Sequence, residues 1–134
     1  MSLQKPVSDE EFDQIITQHN LHLVSQPKYV PDATFRCKDL RNRDFSGRDI
    51  IGMDFTGALL DGANFTGATA CYAKFGLASL DGVNFNNCEL VGANFSDAHS
   101  MRNVNFDHTD LSGAIFSIGQ EFTDSSGETH IITA

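Results

Sequence analysis

From Ala33 to Phe116 a large apolar residue returns at every fifth position: Phe35, Leu40, Phe45, Ile50, Phe55, Leu60, Phe65, then Phe75, Leu80, Phe85, Leu90 and Phe95. Ala70 is the one small residue in this register. Two positions before most centres stands Ala, as at Ala58, Ala63, Ala68, Ala73, Ala78, Ala93 and Ala114. One position before stands Asp or Asn, as at Asp39, Asp44, Asp49, Asp54, Asn64, Asn84 and Asn94. A period of five fits neither the helical period of about 3.6 nor the strand period of about 2, so each unit reads as a short extended piece followed by a corner. Gly fills many of the corners, and a chain that turns this often must coil. Internal repetition is therefore the first fact about the chain, and it predicts a solenoid.

Ala63-Asn64-Phe65-Thr66-Gly67 and Ala93-Asn94-Phe95-Ser96-Asp97 closely match the unit of the pentapeptide-repeat family: Ala, Asp or Asn, Leu or Phe, then two freer positions. The middle two thirds of the chain resembles that family. The resemblance implies an all-β fold, a right-handed quadrilateral β-helix in which four units make one square coil. Centres and the residues two before them would point inward, the other three positions outward, and every twentieth residue would stack, as in Phe35, Phe55, Phe75 and Phe95. Seventeen centres from Phe35 to Phe116, counting Met101 as one, make slightly over four coils. At about 4.8 Å between paired strands the solenoid would stand on the order of 20 Å tall.

Three segments follow: an N-terminal cap over residues 1–32, the β-helix over 33–118, and a C-terminal tail or capping hairpin over 119–134. In the first, Ser8 with Glu11 three residues later forms a capping box, and Phe12, Ile15, Ile16 and His19 share one helical face, predicting a short capping helix near residues 9–19. Leu21 to Val24 reads as an added extended piece, and Pro27 and Pro31 bracket an irregular entry into the coil. In the third, residues 120–123 and 129–133 flank Asp124-Ser125-Ser126-Gly127, which predicts a hairpin or returning strand that closes the second open end or pairs with another chain. Eleven residues separate Phe95 from Phe106 where ten are expected, so Ser96 to Ser100 should bulge and Met101 should take the displaced centre.

Charge divides the chain. Lys38, Arg43 and Arg48 hold the inward position that later coils give to Ala, and long cations cannot pack there unpaired. They either leave through the open end to form cap ion pairs with Asp9, Glu10, Glu11 and Asp13, or make a small anion site. From Met53 onward only Lys74 and Arg102 stand against ten carboxylates, which accounts for eight of the nine net negative charges. That surplus argues against direct nucleic-acid binding, because it repels the phosphate backbone. It reads as a solvated acidic face or, through Asp61, Asp81, Glu89 and Asp110, as a candidate acidic surface attracted to basic grooves.

An outward apolar ladder of Ile51, Cys71 and Val91, with Tyr72 and Leu77 near its corner, is the candidate partner surface unless a terminus covers it. Cys37, Cys71 and Cys88 lack metal-like spacing and read as free thiols of a reducing cytosol. No apolar run approaches a membrane span and the start lacks a signal-peptide layout, so the expected location is cytoplasmic, without membrane contact. His99 and His108 lack an organised acid, nucleophile or ligand set. No catalytic residue, metal or cofactor is expected. The leading function is a noncatalytic protein-interaction module with a protein partner, alone or as a homodimer or assembly through a coil end or apolar face. The alternative rests on the resemblance: some family members mimic DNA and bind DNA gyrase, and this chain could regulate gyrase or another topoisomerase in that way.

Overall fold

The computed structural model describes residues 5–24 and 34–133. Its body is a β-helix solenoid whose strands are single parallel bridges between residues twenty apart: Asp39 to Leu59, Asp44 to Asn64, Asp49 to Thr69 and Asp54 to Lys74, continuing upward. Twenty residues at five per unit give four units per coil and thus four faces, named here after their first centres: Phe35, Leu40, Phe45 and Ile50.

The five-residue unit follows from backbone accounting. The N–H of a centre donates to the next coil, as from Phe45 to the Asn64 carbonyl at 2.7 Å, and so does the N–H two residues on, from Gly47 to Thr66 at 3.0 Å. The Ala N–H turns back on the unit before it, from Ala58 to the Phe55 carbonyl at 2.9 Å. This is a β-turn of the class needing positive φ at its third residue. The N–H between them faces the side chain of the residue before the centre: Asp44, Asp54, Asn84 and Asn94 accept from the amides of Ser46, Thr56, Asn86 and Ser96, all at 2.9 Å. A short side chain with a terminal oxygen suits that position, which explains the Asp/Asn register.

Every centre from Phe35 to Phe95 is fully buried. The rings form two columns. Phe35, Phe55, Phe75, Phe95 and Phe116 stack at 5.6, 5.1, 4.9 and 5.2 Å, near-parallel, and Phe45, Phe65, Phe85 and Phe106 stack at 4.6, 5.1 and 5.4 Å. Between columns the rings meet edge to face at 5.5 to 6.0 Å, as in Phe45 with Phe55 and Phe65 with Phe75. The edge-to-face contacts between columns suit the aromatic quadrupole. Bridge spacing changes from twenty (Lys74 to Asn94) to twenty-one (Ser79 to Ser100), so the extra residue lies between Asn94 and Ser100, and Met101 is buried as the displaced centre.

Helix α1 spans Asp9–Val24. The Glu11 amide donates to Ser8 Oγ at 3.1 Å, and Phe12, Ile15, Ile16 and His19 are buried. The extended piece expected at Leu21 to Val24 is instead the last turn of this helix, because four residues without a breaker continue an established hydrogen-bond ladder at little cost. The irregular entry at Pro27 and Pro31 lies outside the described residues. Ahead of α1, Pro6 bridges Asp39 and the Val7 amide donates to its carbonyl at 3.0 Å, so this segment sits where a preceding coil would. The tail forms a hairpin of β1 (Glu121–Thr123) and β2 (Thr129–Ile131), antiparallel, with Phe122 opposite His130. Val104 donates to the Thr123 carbonyl at 2.9 Å, which ties β1 to the last coil. Among the described residues no helix is long and apolar enough to cross a membrane.

Candidate interaction face

The cations of the first coil leave the core through its open end. Lys38 Nζ lies 3.0 Å from Glu11 Oε2, and Arg43 bonds Asp9 and the Val7 carbonyl while its guanidinium sits 5.2 Å from the Phe12 ring centroid. Arg48 differs from the expected ion pair: it is exposed and rests over the same ring at 5.9 Å, with no carboxylate within ion-pair distance among the described residues. Phe12 thus carries two cations on its face while packing at 5.6 and 5.1 Å on Phe35 and Phe45, the ends of both ring columns. Coil one also holds a two-pronged pair, Arg41 with buried Asp39, joined at 2.9 and 2.7 Å. The Arg41 guanidinium holds the Asp39 carboxyl below the usual carboxylate range against the opposing effect of burial.

The acidic quartet does not form one surface. Asp61 and Asp81 lie on the Leu40 face, whereas Glu89 and Asp110 lie on the opposite Ile50 face. The first two are also engaged: Asp61 Oδ1 accepts from Ser79 Oγ at 2.6 Å and the Asp81 amide at 3.0 Å, and Asp81 Oδ1 accepts from Ser100 Oγ at 2.5 Å and the Arg102 amide at 2.9 Å. Each carboxylate clips its coil to the next one. Asp110 is bound by Ser112 through both its amide and hydroxyl, which lowers its pKa.

The apolar ladder also changes. Ile51, Cys71 and Val91 stack on the Ile50 face but are only half-exposed, and α1 reaches the first of them, with His19 Nε2 at 2.7 Å from the Ile51 carbonyl. Tyr72 stands at the corner beside this ladder and Leu77 at the next corner, so the two flank the Phe35 face rather than sharing one edge. They are 63% and 62% exposed. Two residues on the same side of the molecule, not singled out from the sequence, join them: Ile115, at the position before centre Phe116, and Ile118, two after it, are 50% and 75% exposed. Both depart from the repeat, since nearly every other unit places a polar residue before the centre and most place Gly, Asn or Asp two after it, which was the available signal. Cys88 points inward at an Ala position, and burial, with Cys71 nearby, pushes its thiol up to about 12, leaving it protonated.

Tyr72 and Leu77 have φ of 61° each, in the left-handed region. The same corners in neighbouring coils carry Gly52 and Gly92 beside Tyr72, and Gly57 and Asp97 beside Leu77. A left-handed residue with a Cβ costs about 1–2 kcal/mol, and a bulky one there draws attention to what holds it. The Tyr72 ring answers in part: it lies so close over Gly92 that a Cβ there would stand 2.5 Å from the ring.

The repeat is recognised independently. A family model described as pentapeptide repeats (8 copies) matches residues 39–76, 49–87 and 78–117, more than half of the chain. HetL, a pentapeptide repeat protein involved in heterocyst differentiation regulation from the cyanobacterium Nostoc sp. strain PCC 7120, is similar at 30% identity and TM-score 0.59, covering 69% of this chain and 43% of its own. The pentapeptide repeat protein Rfr23 from the cyanobacterium Cyanothece 51142 shares the fold at 22% identity and TM-score 0.57, over 60% of this chain and 54% of its own. The chain spans about half the length of these solved structures or less, and no curated protein matches it. With four units per coil, the Ala, Asp/Asn and Phe/Leu positions each given a structural duty, and this match, the chain belongs to the pentapeptide repeat family.

Proposed function

We propose that the chain is a noncatalytic protein-interaction module: a right-handed four-sided β-helix, capped at its N-terminal end by α1, that offers its Phe35 face to a protein partner. The observation that carries this reading is the pair Tyr72 and Leu77, large side chains held at strained left-handed corners while more than 60% exposed. Neither core packing nor backbone geometry favours them there, and Asn or Gly would meet the turn at lower cost. With Ile115 and Ile118 they place four largely exposed apolar side chains on one side of the solenoid, the composition that marks a contact surface. HetL's part in regulating differentiation accords with action through protein contacts. Electrostatic mimicry of DNA before gyrase has less behind it, since the four candidate carboxylates divide between opposite faces and two are spent on inter-coil bonds.

The test is cross-linked affinity capture with the full chain and its Tyr72→Asn/Leu77→Asn variant, since Asn tolerates the left-handed corner. The wild type should retain a defined protein that the variant loses, with the unfolding midpoint unchanged. Equal retention by both, or retention of nothing, overturns the proposal. A supercoiling assay run alongside is expected to stay flat up to tens of micromolar.

A further inference from the structure

We propose that the C-terminal hairpin binds a divalent transition cation of the zinc type through Asp124 Oδ2, a Glu128 carboxylate oxygen and His130 Nε2. The pleat brings these three together. Phe122 and His130 are opposite one another across the ribbon, and Thr123 pairs with Thr129, so Asp124 and Glu128 face each other next along. Residues 122, 124, 128 and 130 therefore share one side, because side chains alternate along a strand. One ligand atom from each of Asp124, Glu128 and His130 lies within 4.8 Å of the others.

Two of the three donors are already oriented. His130 stacks on Phe122 at 4.8 Å and 17°, and that stack aims Nε2 at Asp124 Oδ2, 2.9 Å away. Oδ1 of the same carboxylate is occupied by the Ser126 amide and hydroxyl and the Glu128 amide at 2.9, 2.5 and 3.0 Å, which leaves Oδ2 for the imidazole side. Phe122 is anchored in turn, edge-on to Phe106 at 5.5 Å, so the ribbon is fixed to the end of the solenoid. Ligand distances of about 2.0–2.2 Å in a tetrahedral zinc site place neighbouring donors roughly 3.4 Å apart, so Nε2 and Oδ2, at 2.9 Å, need to separate by only about half an ångström to admit the ion. Closing the third side needs only a rotamer change of exposed Glu128, whose carboxylate makes no hydrogen bond among the described residues. One imidazole with two carboxylates selects a borderline cation over calcium or magnesium, and three protein donors leave positions for water.

The 134-residue chain, stripped with chelator, is titrated with zinc against a chromophoric competitor while the His130 ring is followed by NMR. One equivalent should bind in the micromolar range with the resonance shifts confined to residues 122–131, and Glu128→Gln and His130→Ala should each weaken binding at least tenfold. Glu128→Gln is the decisive variant because it leaves the Phe122 stack and the turn amides intact. No binding up to hundreds of micromolar, affinity indifferent to Glu128→Gln, or shifts centred on the cysteines or on His99 and His108 would overturn the site.

Discussion

Phe65 shows what one position of the repeat contributes. It is fully buried, stacked at 4.6 and 5.1 Å on Phe45 and Phe85, and edge-on to Phe55 and Phe75. Because the surrounding backbone is locked into the parallel ladder on both sides, a cavity there cannot collapse. Phe65→Ala should therefore cost about 3–5 kcal/mol in urea unfolding. Phe116→Ala should cost clearly less, since that ring is already partly exposed at the end of its column. Equal losses would show that the columns yield along their whole length.

Corners are where residue identity meets element geometry. Gly67 and Gly92 have φ of +69° and +70°, so Ala at either carries the same backbone strain, yet a Cβ at Gly67 meets nothing within 4 Å and one at Gly92 meets the Tyr72 ring. Gly67→Ala should cost about 1–2 kcal/mol and Gly92→Ala measurably more. In a Tyr72→Ala background the excess should vanish, and a double-mutant cycle showing no coupling would mean that the ring does not rest where described. At the N-terminal element the division of labour is likewise measurable. The Lys38 to Glu11 pair is about 40% exposed on both sides, so Glu11→Gln should change stability by under about 1 kcal/mol. Phe12→Ala, which uncovers both ring columns, should cost about 3–5 kcal/mol and is the larger effect.

The acid response belongs to the whole molecule, because the same turn device recurs in every coil. Asp39 is held below the usual carboxylate range by Arg41, and Asp44 and Asp110 by hydrogen bonds from Ser46 and Ser112. For Asp54 burial pushes the other way, and bonds from Thr56 and Arg36 outweigh it. A carboxyl whose folded pKa is depressed binds fewer protons folded than unfolded, so its stabilisation is complete above the unfolded value of about 3.9 and is lost as pH falls through the folded one. The urea midpoint should hold from pH 7 to about 5 and then fall steeply towards pH 2. Asp39→Asn should be less stable at neutral pH and show a shallower fall. A midpoint unchanged down to pH 3 would mean that these bonds do not favour the charged form.

Much of this was legible in the chain because a five-residue period leaves little choice. Centres, Ala positions and the Asp/Asn register each recur in fixed phase, so the coiling and the insertion before Met101 could be read by counting, while the inward set and the twenty-residue stacking followed from the resemblance to a known repeat family. The helix was legible through Ser8, Glu11 and its apolar face, though not its extension through Val24, since Leu21 to Val24 contains no signal separating a last helical turn from a strand. Outward positions were harder. Periodicity places Tyr72 and Leu77 on the outside but does not say that they bracket one face, or that Ile115 and Ile118 join them two coils further on. It places four carboxylates outside without revealing that Asp61 and Asp81 are bonded to the next coil.

What the sequence determined by itself is the solenoid, because each unit meets its own needs locally: a turn, a side-chain oxygen for the stranded amide and an apolar plug, repeated without reference to distant partners. Only the tertiary structure decided how neighbours twenty residues apart share a surface. The destination of the first-coil cations, the splitting of the acidic quartet and the meeting of Asp124, Glu128 and His130 depend on side-chain directions between coils or across a ribbon, and a one-dimensional period carries no information about them.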